Sequence, residues 1–99
     1  MLLRDKDHKE IIRLAKRSFT KPVKIWAYGS RVSGLAHEGS DLDLVVLPDG
    51  DEMIDLSELG VFKDLLQEST IPILVQVLDW NRIPESFQAN ILKEYEALL

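Results

Sequence analysis

The chain has no cysteine among its 99 residues, which excludes disulfides and thiolate–zinc sites. Its two histidines, His8 and His37, stand far apart, so no imidazole cluster suggests zinc either. No apolar run approaches the ~20 residues of a membrane span. The N-terminus lacks the apolar stretch of a signal peptide, so nothing points to export, and the cytoplasm is the expected compartment. Internal repeats, low-complexity stretches and linkers are missing too. A chain of 99 residues is expected to form one domain, residues 1–99, with one hydrophobic core.

Charge is unevenly spread. Residues 1–33 hold nine Lys/Arg against three Asp/Glu, a balance of +6, while residues 34–99 hold three against fourteen, a balance of −11. The acidic total argues against sequence-independent nucleic-acid binding, and none is expected. The basic first third fits a solvated helix face, or a surface turned to a triphosphate or an acidic partner.

Apolar spacing organises the chain as α-β-(short α)-β-α-β-α. Residues 5–19 read as a helix with Ile11, Ile12, Ala15 and Phe19 on its apolar stripe. Val23 to Tyr28 is rich in β-branched and aromatic residues and reads as a strand. Residues 30–36 have room for only a short helix or turn. Leu42 to Leu47 is almost wholly apolar, hence a central strand covered on both faces. Asp55 reads as an N-cap, with Glu58 completing a capping box and Ile54 and Leu59 forming a hydrophobic staple. The helix that follows buries Leu59, Phe62, Leu65 and Leu66 and carries an unfavourable Gly60. Ile73 to Leu78 is a third strand. A last helix starts near Pro84 and lines up Phe87, Ile91, Tyr95 and Leu98.

Ten residues look chemical: Gly29-Ser30-Arg31-Val32-Ser33-Gly34 and Ser40-Asp41-Leu42-Asp43. Asp41 and Asp43, two apart in an extended segment, point to one side roughly 6.5–7 Å apart along the chain. Carboxylates that close repel unless a cation lies between them, and hard oxygen donors favour Mg2+ or Mn2+. Alone, an Asp-x-Asp is often no more than a polar start to a strand. Gly29-Ser30 changes its meaning. Glycine after a strand lets backbone approach a ligand, and Ser30 opens a helical turn suited to an anion. Arg31 would add a charge-assisted donor, and Gly34 would free a second bend. By alternation Leu42, Leu44 and Val46 face away from the carboxylates, toward the helices. Ser30 ends one strand and Asp41 begins the next, so the two halves meet most simply if those strands run antiparallel. The expected class is therefore α+β, a small mixed β-sheet with helices packed mainly on one face.

The pattern Gly29-Ser30-Arg31-x-x-Gly34-x-Ala36-x-x-x-Ser40-Asp41-x-Asp43-Leu44 resembles the minimal nucleotidyltransferases of the DNA polymerase β superfamily. The likeness runs on through the third strand to Leu78-Asp79-Trp80 and so covers nearly the whole chain. It implies the nucleotidyltransferase fold, ATP as substrate, and Mg2+ (or Mn2+) on Asp41 and Asp43. Gly29, Ser30, Arg31, Gly34 and Ser40 would then hold the nucleotide phosphates. Members this small are commonly antitoxins that bind a HEPN ribonuclease toxin and, where active, transfer AMP to one of its tyrosines. The resemblance thus implies a HEPN-type protein partner. A degenerate relative that neutralises such a toxin by complex formation alone is the alternative. Transfer to a small molecule such as an aminoglycoside is less favoured, because those enzymes normally carry an added substrate domain.

One departure stands out. The family usually sets a third carboxylate on the third strand, and this chain has Gln76 there, in Pro72-Ile73-Leu74-Val75-Gln76-Val77-Leu78-Asp79. Glutamine can offer a carbonyl to a metal but cannot accept a proton as a base. Asp79 lies three residues on, toward the other face, unless a bulge or the strand end redirects it; otherwise it is a turn or cap residue. His37 is a candidate substrate contact. Trp26 and Tyr28 read as core, with base stacking as the alternative. Trp80 and the C-terminal helix offer a surface to a partner or a second copy of the chain, and core packing explains them equally well.

Overall fold

The computed structural model describes residues 1, 3–37 and 39–99. Helix α1 spans Asp5–Ser18, strand β1 Val23–Tyr28, the four-residue helix α2 Ser30–Ser33, and strand β2 Leu42–Pro48. Helix α3 follows at Leu56–Glu68, strand β3 at Val75–Asp79, a 3-10 turn at Trp80–Arg82, helix α4 at Glu85–Lys93 and strand β4 at Glu96–Ala97. The sheet order is β3-β2-β1-β4. β1 runs antiparallel to β2 and β4, and β2 runs parallel to β3. The sheet is mixed, as the meeting of the two motif halves requires.

β2 owes its central place to its unbroken apolar run. Leu42, Leu44 and Val46 join Ile25, Ala27 and Val77 on one face, against Ile11, Leu14 and Ala15 of α1 and Leu59, Phe62 and Leu66 of α3. Phe62 is wholly buried and tilts against Phe19 at 5.4 Å. Burying one such ring contributes about 1.5–3 kcal/mol. On the opposite face Val45 and Leu47 pack with Ile91 of α4, flanked by Trp26, Tyr28, Leu78 and Trp80. The two long helices thus share one face, and α4 with the 3-10 turn covers part of the other.

Two local expectations need correction. The Asp55 carboxylate does cap α3, accepting from the Ser57 and Glu58 amides. Glu58 does not reach back to close a capping box. Its carboxylate accepts from the Thr20 hydroxyl at 2.8 Å, tying α3 to the loop before β1. The C-terminal segment also does not stay helical through Leu98. It leaves α4 at Glu94 and becomes the edge strand β4. The reason is an open sheet edge: the Ile25 amide donates to the Leu99 carbonyl at 2.9 Å and the Leu98 amide to the Ile25 carbonyl at 2.8 Å, satisfying β1 groups a helix would leave exposed. Tyr95 then stacks on Trp26, ring centroids 4.1 Å apart, and Leu98 enters the core beside α1. Trp80 meets the same Trp26 edge-on at 5.6 Å, so both tryptophans pack within the chain. His8, on α1, lies 3.0 Å from the Leu98 carbonyl through Nε2, a structural contact far from the motif.

Candidate active site

The site forms where β1 ends, β2 begins and β3 runs alongside. Register sets Tyr28 opposite Asp43 and Asp43 opposite Gln76, so three neighbouring strands each bring one polar side chain to a single row. These residues share the α4 face of the sheet with Val45 and Leu78, because side chains two apart in a strand point the same way.

Gly29 closes β1 with φ +80° and ψ −155°, a conformation nearly confined to glycine. A β-carbon there would stand 2.7 Å from the Asp43 Oδ2. The backbone therefore passes directly over the carboxylate, and only glycine permits it. α2 starts at once with Ser30 and ends at Gly34, whose φ of +85° turns the chain out of the helix. A side chain at 34 would meet nothing, so this glycine serves the bend alone.

Asp41 is exposed and Asp43 half-buried. Burial first, and then the charge of Asp41, push the Asp43 carboxyl above its ordinary range. Tyr28 feels the same neighbourhood: burial and then the Asp43 charge push its phenol up to about 12, so it is a neutral O–H at physiological pH. The Gln76 Nε2 donates to the Asp41 Oδ2 at 3.2 Å. An amide donor thus stands where a third carboxylate would repel the first two. Among the described residues no group of three or more His, Asp or Glu side chains is placed to hold a metal. The oxygen donors gathered here are two carboxylates and one amide carbonyl.

Arg31 and Ser40 sit differently from the sequence-based expectation of phosphate donors. Arg31 is only 5% exposed. Its Nε donates to the Ser40 carbonyl at 2.8 Å, with a longer contact to the His37 carbonyl at 3.5 Å. The Ser40 hydroxyl accepts from the His37 amide at 3.1 Å, and His37 turns its Nδ1 onto the Gly39 amide at 3.0 Å. A buried guanidinium must be hydrogen-bonded, and the loop carbonyls supply the partners. Arg31 therefore braces the loop that delivers Asp41. Asp79 is buried on the face opposite Gln76. It accepts from the Asn81 amide at 2.9 Å and pairs with Arg82, which makes it the cap of the 3-10 turn.

Beside Gly29 the row opens into a cavity of about 370 Å³ between α2 and α4, with Tyr28 and Phe87 on its wall. Sequence reasoning set Phe87 and Ile91 on the apolar side of the last helix but did not single out Asn90 or Glu94, which also line the cavity, because an exposed polar residue on a helix carries no signal of what lies across from it. Tyr28 reads from the sequence as core; the antiparallel pairing of β1 with β2 sets it across from Asp43.

A mixed sheet carrying a glycine-serine turn over paired aspartates defines a nucleotidyltransferase fold, and the chain belongs to the polymerase beta nucleotidyltransferase family, whose model matches residues 9–99. Within it, the chain is 34% identical to the probable protein adenylyltransferase MntA of Haemophilus influenzae over 85 residues, 86% of this chain and 73% of that protein. It is 33% identical to the terminal uridylyltransferase cid1 of Schizosaccharomyces pombe, over 88% of this chain but 25% of that one. In three dimensions it superposes on a chain of a toxin–antitoxin crystal structure with AMP-PNP, TM-score 0.75 and 20% identity, covering 94% of this chain and 73% of the other. It also superposes on a chain from the complex of a tri-AMPylated Shewanella oneidensis HEPN toxin with its MNT antitoxin, TM-score 0.72 and 16% identity, covering 98% and 72%. These likenesses establish the fold. Among the described residues no helix is long and apolar enough to cross a membrane.

Proposed function

We propose that this protein transfers AMP from ATP to a hydroxyl of a partner protein, and that the partner is a HEPN-type toxin which it neutralises as an antitoxin. Residues 1–99 work in this reading as one minimal nucleotidyltransferase domain, in the cytoplasm. The observation that carries it is the Asp43 carboxylate directly beneath the Gly29 backbone, with Asp41 near enough for its charge to act on it. Adenylyl transfer to a protein is also what the MntA relative's name describes, and tri-AMPylation of a HEPN toxin is what the Shewanella complex contains.

The donor set fits a hard divalent cation, Mg2+ or Mn2+: two neighbouring carboxylates, one of them raised by burial and then by the charge of the other, with an amide carbonyl alongside. Asp41 and Asp43 would hold it. When bound, such an ion offsets charge on the phosphates and on the departing pyrophosphate. The protein's own contribution is placement. Gly29 and Ser30 receive the phosphates, with Gly34 shaping the turn, while Arg31 and Ser40 hold the loop so that Asp41 points into the row. The acceptor oxygen attacks the α-phosphorus; its bond to phosphorus forms as the bond to the bridging oxygen of the β-phosphate breaks, and pyrophosphate leaves. Gln76 cannot accept the acceptor's proton, so that proton passes to solvent or to a base the acceptor brings.

Gln76 also favours a second reading, a scaffold that binds the toxin and transfers slowly or not at all. One experiment separates the two: label transfer from α-labelled ATP with Mg2+ or Mn2+ and the co-expressed partner, using wild type, Asp43→Asn and Gln76→Asp. Label on the partner that is lost in Asp43→Asn supports the transferase. No label from wild type but label from Gln76→Asp supports the scaffold.

A further inference from the structure

We infer that the cavity between α2 and α4 is the nucleobase subsite and that Asn90 and Glu94 read the edge of adenine there, an assignment that rests on the proposed nucleotidyl transfer. The cavity begins at Gly29 and Ser30. Gly29 is the residue whose backbone covers the Asp43 carboxylate, so a nucleotide with its phosphates at that carboxylate has its nucleoside within reach of the cavity. At about 370 Å³ it lies toward the lower end of the range for small-molecule sites.

The lining decides what enters. Away from Gly29 and Ser30 it contains no lysine or arginine and carries Glu94, which disfavours the triphosphate there. The serine hydroxyls of Ser30 and Ser33 lie on the α2 side, and the opposite wall is Phe87 and Ile91 with Tyr28. Tyr28 and Phe87 pack edge to face, centroids 5.9 Å apart, and Phe87 remains 38% exposed. Phe87 is thus accessible beside Tyr28, and an aromatic ring there is a surface on which a flat base can stack. The acceptor is expected from the opposite direction, because Gln76 lies on β3 and the cavity adjoins β1, on the two sides of β2.

The polar groups favour a base with an exocyclic amine beside a ring-nitrogen acceptor, as adenine has. Asn90 and Glu94 stand one helical turn apart on α4 and its C-cap. Both are exposed, and their side chains make no hydrogen bond to another described residue. An asparagine amide matches adenine, accepting from the exocyclic N6 amine and donating to a ring nitrogen. A carboxylate beside it accepts the second N6 proton. Guanine and uracil present a carbonyl oxygen at that position, which Glu94 repels, and must turn their ring N–H groups toward it to bind; cytosine carries the same amine and ring nitrogen but stacks a smaller face.

The test is nucleotide binding by the full chain, read as displacement of a fluorescent ATP analogue in Mg2+. The competitors are ATP, GTP, UTP and inorganic tripolyphosphate. Wild type should prefer ATP to GTP and UTP by about tenfold, and Asn90→Leu should lose that preference by weakening ATP about tenfold. Phe87→Ala should weaken all three nucleotides, and tripolyphosphate should bind both variants as it binds wild type. Ser30→Ala should weaken every competitor, tripolyphosphate included. If Asn90→Leu and Phe87→Ala bind ATP like wild type while Ser30→Ala does not, the base lies elsewhere and the inference falls, with the transferase reading intact. The same holds if those two variants lose only transfer to the partner, since an acceptor side chain would then occupy the cavity. If neither Ser30→Ala nor Asp43→Asn alters any binding, the transferase site itself is misplaced and the inference falls with it.

Discussion

Gly29 lies against Asp43 so closely that a β-carbon at position 29 would stand 2.7 Å from the Asp43 Oδ2. Gly34, five residues on, has almost the same φ, +85° against +80°, but open space around it. The pair separates a backbone requirement from a site requirement. Both alanine variants should lose stability, by about 1–3 kcal/mol each, from forcing an alanine to positive φ. Only Gly29→Ala should also displace the carboxylate and abolish adenylyl transfer. Denaturant titration and label transfer on the two variants check this, and full activity in Gly29→Ala would refute the role of the close approach.

Gln76 relieves a charge problem as well as leaving a chemical gap. Gln76→Asp would add a third negative charge beside Asp41 and remove the 3.2 Å amide bond to it. Without divalent cation the variant should melt at a lower temperature than wild type, and Mg2+ or Mn2+ should restore more stability to it than to wild type. With the cation present, transfer should rise by about 10²-fold or more if the new carboxylate takes the acceptor's proton. Thermal melts with and without metal, alongside label transfer, measure both.

Asp43 carries a pH signature. Its carboxyl is raised by burial and then by Asp41. A carboxyl raised on folding costs stability at pH above its folded titration point, and the cost fades as pH falls through that point toward the ordinary, unfolded value. Asp43→Asn should therefore raise Tm at pH 7 in metal-free buffer, and the gain should shrink in acid, while transfer is lost. A Tm below wild type at pH 7 would mean that the carboxylate stabilises the fold instead.

Arg31 holds the Ser40 and His37 carbonyls ahead of Asp41. Lysine keeps the charge but not the planar fork. Arg31→Lys should cost about 1–3 kcal/mol and speed amide hydrogen exchange at Gly39 and Ser40, with transfer reduced through a misplaced Asp41. Unchanged exchange there would show that the loop holds itself.

Gly60 offers a control away from the site. It lies inside α3, and a β-carbon there would meet nothing within 4 Å. Gly60→Ala should stabilise the protein by about 0.4–1 kcal/mol and leave nucleotide binding unchanged, as denaturant titration and the displacement assay will show.

Local chemistry and periodicity determined much of this protein. The apolar run of β2, the Asp55 cap and the alternation that separates Leu42, Leu44 and Val46 from the carboxylates are short-range properties, written in consecutive residues. So was the meeting of Gly29-Ser30 with Asp41 and Asp43, because a short connection between two strands leaves few geometries. Asp79's part as a cap was legible from its odd spacing to Gln76. Other features depend on partners distant in sequence. Tyr95 and Leu98 continue the helical spacing of α4, but the unpaired edge of β1 and the ring of Trp26 draw that segment into β4. Glu58 suits a capping box, yet Thr20, thirty-eight residues away, takes its carboxylate. Arg31 looks like a phosphate ligand in any one-dimensional reading; only folding shows that the loop carbonyls of residues 37 and 40 need its guanidinium. The cavity beside Gly29 likewise exists only because α4 crosses the open face of the sheet. Neither propensity nor pattern encodes which backbone groups go unpaired until the chain is folded, and those groups decided where the ends and the loops went.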